Sequence, residues 1–315
     1  MKRGIAVIGA VERLTIVGAA ALVALGLGSA TAAASGPFSG PNGKIAVDKA
    51  DGGPMRMGVV SPKGNFRSLY EAPWEDFLGG VTYSPDGSRV AFTYGWRPTS
   101  LAVAKPAIGK KWQVPTGKID VSDPQFVSNG RIVFSGSVYP GGKRPGTYVV
   151  RANGTGLHRL FKRKQIATDR NRDRFIAKKG SGYSHRLDLL DRNGRKVRTI
   201  ASGKSHFFND AALSPYGRWI VYQQGPAKPH GNYRGNLFVV RRDGTHRRKL
   251  TSGNRDKDVT FSPDGGWIAY DRARHGGGYA SNIWVTSILH PGKSRQITHS
   301  GKKTTYFDVS WGRRQ

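Results

Sequence analysis

One short phrase recurs along this chain, and its spacing leaves few folds open. It reads VTYSPDGSRVAF at 81–92 and VTFSPDGGWIAY at 259–270, with a looser copy, AALSPYGRWIVY, at 211–222. In each copy apolar residues alternate on both sides of a Pro/Gly turn, which is the pattern of a β-hairpin. A second hairpin follows each one. Two of these read GTYVVRANGTGLHRL at 146–160 and NLFVVRRDGTHRRKL at 236–250. There Asn-Gly or Asp-Gly supplies the left-handed backbone that a tight hairpin turn needs. Two hairpins in succession make a four-stranded meander.

The period is measured from the turn glycine of each first hairpin: Gly43, Gly87, Gly130, Gly217 and Gly265. The wide gap between Gly130 and Gly217 holds a degenerate unit with Asp173 at its turn. That unit keeps its second hairpin, LDLLDRNGRKVRTI at 187–200. The steps are then 44, 43, 43, 44 and 48 residues, close to the ~40–45 of a four-stranded propeller blade. The ends are complementary. FDVSWG (307–312) matches the start of a first hairpin and stops before the turn, while GPNGKIAV (40–47) matches the turn and the second strand. Pairing 306–311 with the strand that begins near Lys44 completes one blade from both termini and removes the free sheet edges of an open array. The expected fold is all-β: a six-bladed β-propeller of four-stranded antiparallel blades, a single domain over 36–315.

The SPDGxxIAF-type and DGTxxxxLT-type phrases resemble the repeats of the TolB-like β-propeller family, and the resemblance covers about 40 to 315. It implies the same fold. Propellers of this kind occur as the periplasmic partner protein of the Tol system, as the front domain of prolyl-oligopeptidase-like enzymes, and as secreted proteins. The Tol protein carries an additional N-terminal α/β domain, for which this sequence is expected to leave no room.

Residues 1–35 have the order of a secretory signal peptide. Lys2 and Arg3 are followed by Arg13, then by the apolar run LTIVGAAALVALGL (14–27) and the small residues SATAAAS (29–35). Cleavage is expected after Ala32 or Ala34. The apolar run is fourteen residues long, short of the ~20 that span a bilayer as a helix. A retained signal anchor is the alternative. The chain has no cysteine, which excludes disulfides, thiol chemistry and a lipid-modified cysteine at the cleavage point. The product is expected to be exported, periplasmic or extracellular, and not membrane-spanning after cleavage.

The formal charge is +31; removing residues 1–35 takes away Lys2, Arg3, Arg13 and Glu12 and leaves +29. The excess is clustered in FKRK (161–164), DRNRDR (169–174), RNGRKVR (192–198) and RRDGTHRRK (241–249). Three second-hairpin turns in the third to fifth blades hold much of it: around Arg151 to Arg159, in Arg192, Arg195, Lys196 and Arg198, and in Arg241, Arg242, Arg247, Arg248 and Lys249. In a propeller such turns lie side by side on the rim of one face, flanking solvent. A basic rim attracts polyanions over about one Debye length, ~8 Å at physiological salt. For an exported protein the candidates are an anionic polymer such as wall teichoic acid, an anionic lipid surface or extracellular nucleic acid; the alternative is that the charge serves solubility alone. No nucleic-acid module is present, so no specific nucleic acid is expected.

In a meander blade the turns within each hairpin lie on one face; the loops between hairpins and the blade-to-blade crossings lie on the other. The second set is longer and irregular here, and carries Trp96, Tyr139, Tyr183, His185, His230, Tyr233, Arg234, His275 and Tyr279. Aromatic and Arg side chains on such loops make a binding face. Asp123, Asp210, Asp258 and Asp308 each precede an inner strand at one equivalent position, so they are expected at the channel mouth. Two roles are open to them: accepting backbone N–H bonds at the crossings, or surrounding a hard cation such as Ca²⁺. No cofactor or metal is assigned.

The mature chain contains no G-x-S-x-G elbow, H-E-x-x-H or P-loop. A prolyl-oligopeptidase-like arrangement would need a further domain after the propeller. The expectation is therefore a non-catalytic scaffold, acting as a monomer, that binds a protein or a cell-envelope component. The alternative is a propeller-type hydrolase or lyase acting on an envelope or extracellular glycan through His185, His206, His230 and His275.

Overall fold

The computed structural model describes residues 36–179, 184–226, 234–275 and 279–315. All of its regular structure is β. The chain enters through β1 (Asn42–Ala50), β2 (Arg56–Val60) and β3 (Phe66–Glu71). The second blade is β4 (Leu78–Tyr83), β5 (Val90–Tyr94), β6 (Ser100–Lys105) and β7 (Lys110–Val114). The third is β8 (Ile119–Ser128), β9 (Arg131–Val138), β10 (Lys143–Arg151) and β11 (His158–Phe161). The degenerate fourth is β12 (Ala167–Thr168), β13 (Arg174–Lys179), β14 (Arg186–Asp191) and β15 (Lys196–Ser202). The fifth is β16 (His206–Leu213), β17 (Trp219–Pro226), β18 (Asn236–Arg241) and β19 (Arg248–Lys249). The sixth is β20 (Asp256–Phe261), β21 (Trp267–Ala273), β22 (Ser281–Ser287) and β23 (Ser294–Gln296). The last strand, β24 (Thr305–Arg313), returns to the first blade, whose order is β24-β1-β2-β3. Each blade is an antiparallel four-stranded meander, and the six form a six-bladed propeller.

Closure follows the register expected from the complementary ends. Ile45 faces Trp311, Ala46 faces Ser310 and Asp48 faces Phe307. The Trp311 indole donates to Gly43 O at 3.0 Å, and its ring lies 5.2 Å from that of Phe38. The energetic reason for closing the ring is visible in the packing. Every apolar cluster lies between two neighbouring blades. Between the sixth and first blades, for example, Ala269, Ile283 and Val285 pack with Ile45, Val47, Tyr306, Val309 and Trp311. Five such cores would exist in an open array; the paired termini make the sixth.

The Ser-Pro-Asp-Gly turn owes its recurrence to a closed hydrogen-bond set. Ser84 Oγ donates to Asp86 Oδ1 (2.6 Å) and accepts from Arg89 N (3.0 Å), while Asp86 Oδ1 also accepts from Ser88 N (3.0 Å). Ser262 and Asp264 repeat it in the sixth blade. Gly87 is required twice over. Its φ is +77°, and a Cβ there would come within 2.5 Å of Arg313 O on the closing strand.

Candidate functional site

The inner strands converge on a channel of about 230 Å³. Five of the six are bulged near their start, where the register against the next strand slips; the two-residue β12 of the fourth blade is not. Three aspartates occupy this bulge with left-handed backbone: Asp123 (φ 49°), Asp258 (φ 49°) and Asp308 (φ 50°). Asp210 holds the same place in the fifth blade, Gly80 in the second and Gln165 in the fourth. The four aspartates expected at the channel mouth all line this channel.

Two of them tie one blade to the next. Asp308 Oδ2 accepts from Gly80 N at 2.9 Å, and Asp210 Oδ2 accepts from Asp258 N at 3.0 Å. Gly80 cannot be replaced without cost, because its φ is +64° and a Cβ would lie 2.6 Å from Pro124 Cδ. A second tier lies one strand further out, on β1 and β21. Asp48 is buried, and neither carboxylate oxygen has a hydrogen-bond partner among the described residues. Asp271 is buried and pairs with Arg234 Nη2 at 3.0 Å. Lys257 Nζ sits 3.1 Å from Asp258 and 3.9 Å from Asp271.

This crowding has electrostatic consequences. Burial first, then the Asp308 and Asp258 carboxylates, push the Asp48 carboxyl well above the usual range. Burial and then Asp258 push Asp308 up to about 7 and Asp210 up to about 6. Burial lifts Asp271 to about 7 against the pull of Arg234. Burial also works against the charge of Lys257, but Asp258 and Asp271 outweigh it and hold its pKa up. In the degenerate blade Lys178 replaces the outer-tier acid; its ammonium donates to Asn209 Oδ1 at 2.8 Å. The channel is therefore acidic towards the fifth, sixth and first blades and basic towards the fourth. Among the described residues, no three His, Asp or Glu side chains come together as a metal-holding group.

Above this mouth lie the long loops. Trp96 and Tyr279 stand 75% and 84% exposed, and Tyr139 and His185 are also exposed. The blade-to-blade crossing beside Trp96 adds Trp74, 74% exposed, and Phe77. The two loops touch, since Gly95 N donates to Phe77 O at 3.0 Å. Arg234 departs from the expectation of an exposed contact residue. It is buried, held by Asp271 and by Arg255 O, because an ionised Asp271 needs a partner more than the surface does. His275 is exposed at the edge of the sixth blade. Tyr183, His230 and Tyr233 lie outside the described residues.

On the opposite face, five of the nine rim cations are committed to neighbours. Arg198 Nη1 reaches across to Asp243 O in the next blade, and Arg248 Nη2 to Ile288 O. Arg247 lies 4.4 Å over the Phe238 ring and donates to the Tyr222 hydroxyl at 2.6 Å. Arg241 and Arg248 both lie over Trp219, and Arg192 pairs with Asp173 at 2.9 Å. The solvent-flanking turn expected at 241–249 is thus partly a clasp. A residue on an outer strand bonds the following blade, as Arg67 does to Pro106 O and Trp112 to Ala152 O. Arg195, Lys196, Arg242 and Lys249 are exposed, and their side chains form no ion pair or hydrogen bond among the described residues.

Comparison with known proteins places the architecture. TolB from Acinetobacter baumannii superposes with a TM-score of 0.66 at 16% identity, over 86% of this chain and 66% of that one. The fold is that of a TolB-like propeller. This chain spans just under two thirds of that TolB chain. A propeller from a nidogen/laminin complex superposes with a TM-score of 0.61 at 13% identity, over 85% of this chain and 98% of that one. An oligogalacturonate lyase solved with manganese gives 0.54 at 14% identity, over 83% and 77%. No family model matches the sequence, and no curated protein does. Among the described residues no helix is long and apolar enough to cross a membrane.

Proposed function

We propose that this TolB-like propeller is an exported, non-catalytic scaffold whose long-loop face binds a protein or cell-envelope component. One observation carries the reading. Trp74, Trp96, Tyr139 and Tyr279 stand exposed on the channel-mouth face, where an aromatic ring in water costs free energy unless a partner covers it. The turns of the opposite face are short, and among its exposed large hydrophobics Tyr216 is the aromatic one. Export rests on the basic–apolar–small order of residues 1–35. The nidogen/laminin structure supports protein binding as a use of this fold. The oligogalacturonate lyase keeps glycan lysis as the competing class.

Retention on immobilised envelope fractions tests the proposal. Trp74→Ser with Trp96→Ser should reduce retention by about tenfold, the loss of one aromatic hot spot or more, with the melting temperature unchanged. Equal retention of the variant, or release of unsaturated sugar from oligouronides that disappears in His185→Ala with His275→Ala, would overturn it. The four free rim cations, Arg195, Lys196, Arg242 and Lys249, support a second contact to an anionic polymer such as teichoic acid.

A further inference from the structure

Two cavities open on the perimeter between the fifth and sixth blades. One has a volume of about 450 Å³, larger than the 230 Å³ of the central channel, and Lys249 stands in its wall. The other, about 210 Å³, is bounded by Arg255, Arg274 and His275. Arg272 and Trp284 line both.

The opening has a structural origin. The outer strand β19 has two residues, against six in β3, five in β7 and seven in β15. So short a strand covers little of the next blade, and the Trp284 indole on β22 stays only half-buried. Asp256 fixes the floor. It accepts from Arg272 Nε at 2.6 Å and Nη2 at 2.9 Å, which lays the guanidinium 5.0 Å over Trp284 and leaves Nη1 without a hydrogen bond among the described residues. Arg255 and Arg274 each give one N–H to a carbonyl, of Ala273 and Ser300, and among the described residues their other donors have no acceptor. Lys249 is exposed, with no ion pair or hydrogen bond among the described residues. No carboxylate lines either cavity among the described residues.

An aromatic platform ringed by unneutralised cations selects its occupant by two chemistries at once. A guanidinium fork holds a carboxylate through paired N–H bonds. The half-buried indole keeps apolar surface beside the Arg272 guanidinium that stacks on it, which the C–H face of a pyranose matches. A phosphate polymer would satisfy the cations and leave the indole bare. We infer that this cleft binds an acidic saccharide, a uronate oligomer, with Trp284 under a sugar ring and Arg255, Arg274 and Lys249 on the carboxylates. The site lies on the perimeter and does not depend on the loop-face reading.

Calorimetric titration of the purified chain with a mannuronate trimer tests it, beside mannotriose and poly(glycerol phosphate). The trimer should bind at least about tenfold more tightly than mannotriose, a difference of about 1.4 kcal/mol. Lys249→Gln with Arg274→Gln, both at exposed positions, should weaken it by a similar factor. Trp284→Phe, which keeps an aromatic in the packing, should weaken it less and abolish the ligand-induced change in tryptophan fluorescence. Arg195→Gln with Lys196→Gln should leave it within twofold. The inference fails if the trimer does not bind, if mannotriose or the phosphate polymer binds as tightly, or if the rim variant loses as much as the cleft variant.

Discussion

Replacing Asp308 by Asn should stabilise the protein at pH 8 and leave it nearly unchanged at pH 4. The folded carboxyl is pushed up to about 7, by burial and then by Asp258, against 3.8 for an unperturbed one. That is about 3 units, worth about 1.4 kcal/mol each, so the ionised group costs the fold up to about 4 kcal/mol. The sign follows from proton binding. Because the folded pKa lies above the unfolded value, the native state holds the extra proton between about pH 4 and 7, and stability falls as pH rises through that window. Asn cannot ionise, keeps an oxygen for the Gly80 N–H, and tolerates the φ of 50° better than most residues. The variant should gain about 2–4 kcal/mol over wild type at pH 8 and differ by under about 1 kcal/mol at pH 4. Denaturant titration of both proteins at each pH reads this directly, and the difference between them cancels the general effect of the high positive charge. Asp308→Ala serves as the control. It loses the acceptor and strains the backbone, and should be destabilised by about 1–3 kcal/mol at pH 4. A gap between Asn variant and wild type that stays constant from pH 4 to 8 would refute the reasoning.

Trp311→Ala should cost about 3–5 kcal/mol by differential scanning calorimetry, and deleting 306–315 should cost more, because the core between the sixth and first blades then loses a whole strand. Arg234→Ala leaves Asp271 buried without its closest cation and should destabilise by about 3–5 kcal/mol near neutral pH in urea titrations. Substituting Arg195, Lys196, Arg242 and Lys249 by Gln should flatten the salt dependence of elution from a teichoic-acid column at under about 0.5 kcal/mol each. Arg247→Gln with Arg248→Gln should instead lower the melting temperature measurably, since those side chains hold ring faces and the next blade.

Much of the architecture was legible because a propeller repeats its instructions. The turn glycines gave the blade count and the complementary ends gave the closing strand, including the register near Lys44. Within the degenerate blade Asp173 marked the turn to within one residue: Arg172, with φ 57° and its N–H on Asp169 O, takes the place of the turn glycine. The four channel aspartates were legible from one equivalent position per blade. Their outer tier was missed. Asp48 and Asp271 end the matching phrases IAVD and IAYD, so an alignment of the second strands pairs them. Trp74 and Phe77 belong to WEDF, which lies in a blade-to-blade crossing and not in one of the loops between hairpins where the aromatic residues cluster. Arg234 reads as a surface loop residue by type and neighbourhood; its burial depends on Asp271, a residue 37 positions away, which no local pattern reports. The clasping role of Arg198 and Arg248 is equally non-local, since each bonds a backbone carbonyl of the following blade.

Hydroxyl-radical footprinting of the protein bound to its cell-envelope fraction tests the central claim most directly. Side-chain oxidation is read at Trp74, Trp96, Tyr139 and Tyr279 on the loop face and at Tyr216, 81% exposed in a turn on the opposite face. Protection confined to the four loop-face aromatics, with Tyr216 oxidised as in the free protein, is the expected result. Protection of Tyr216 with the loop-face aromatics still fully reactive would contradict it.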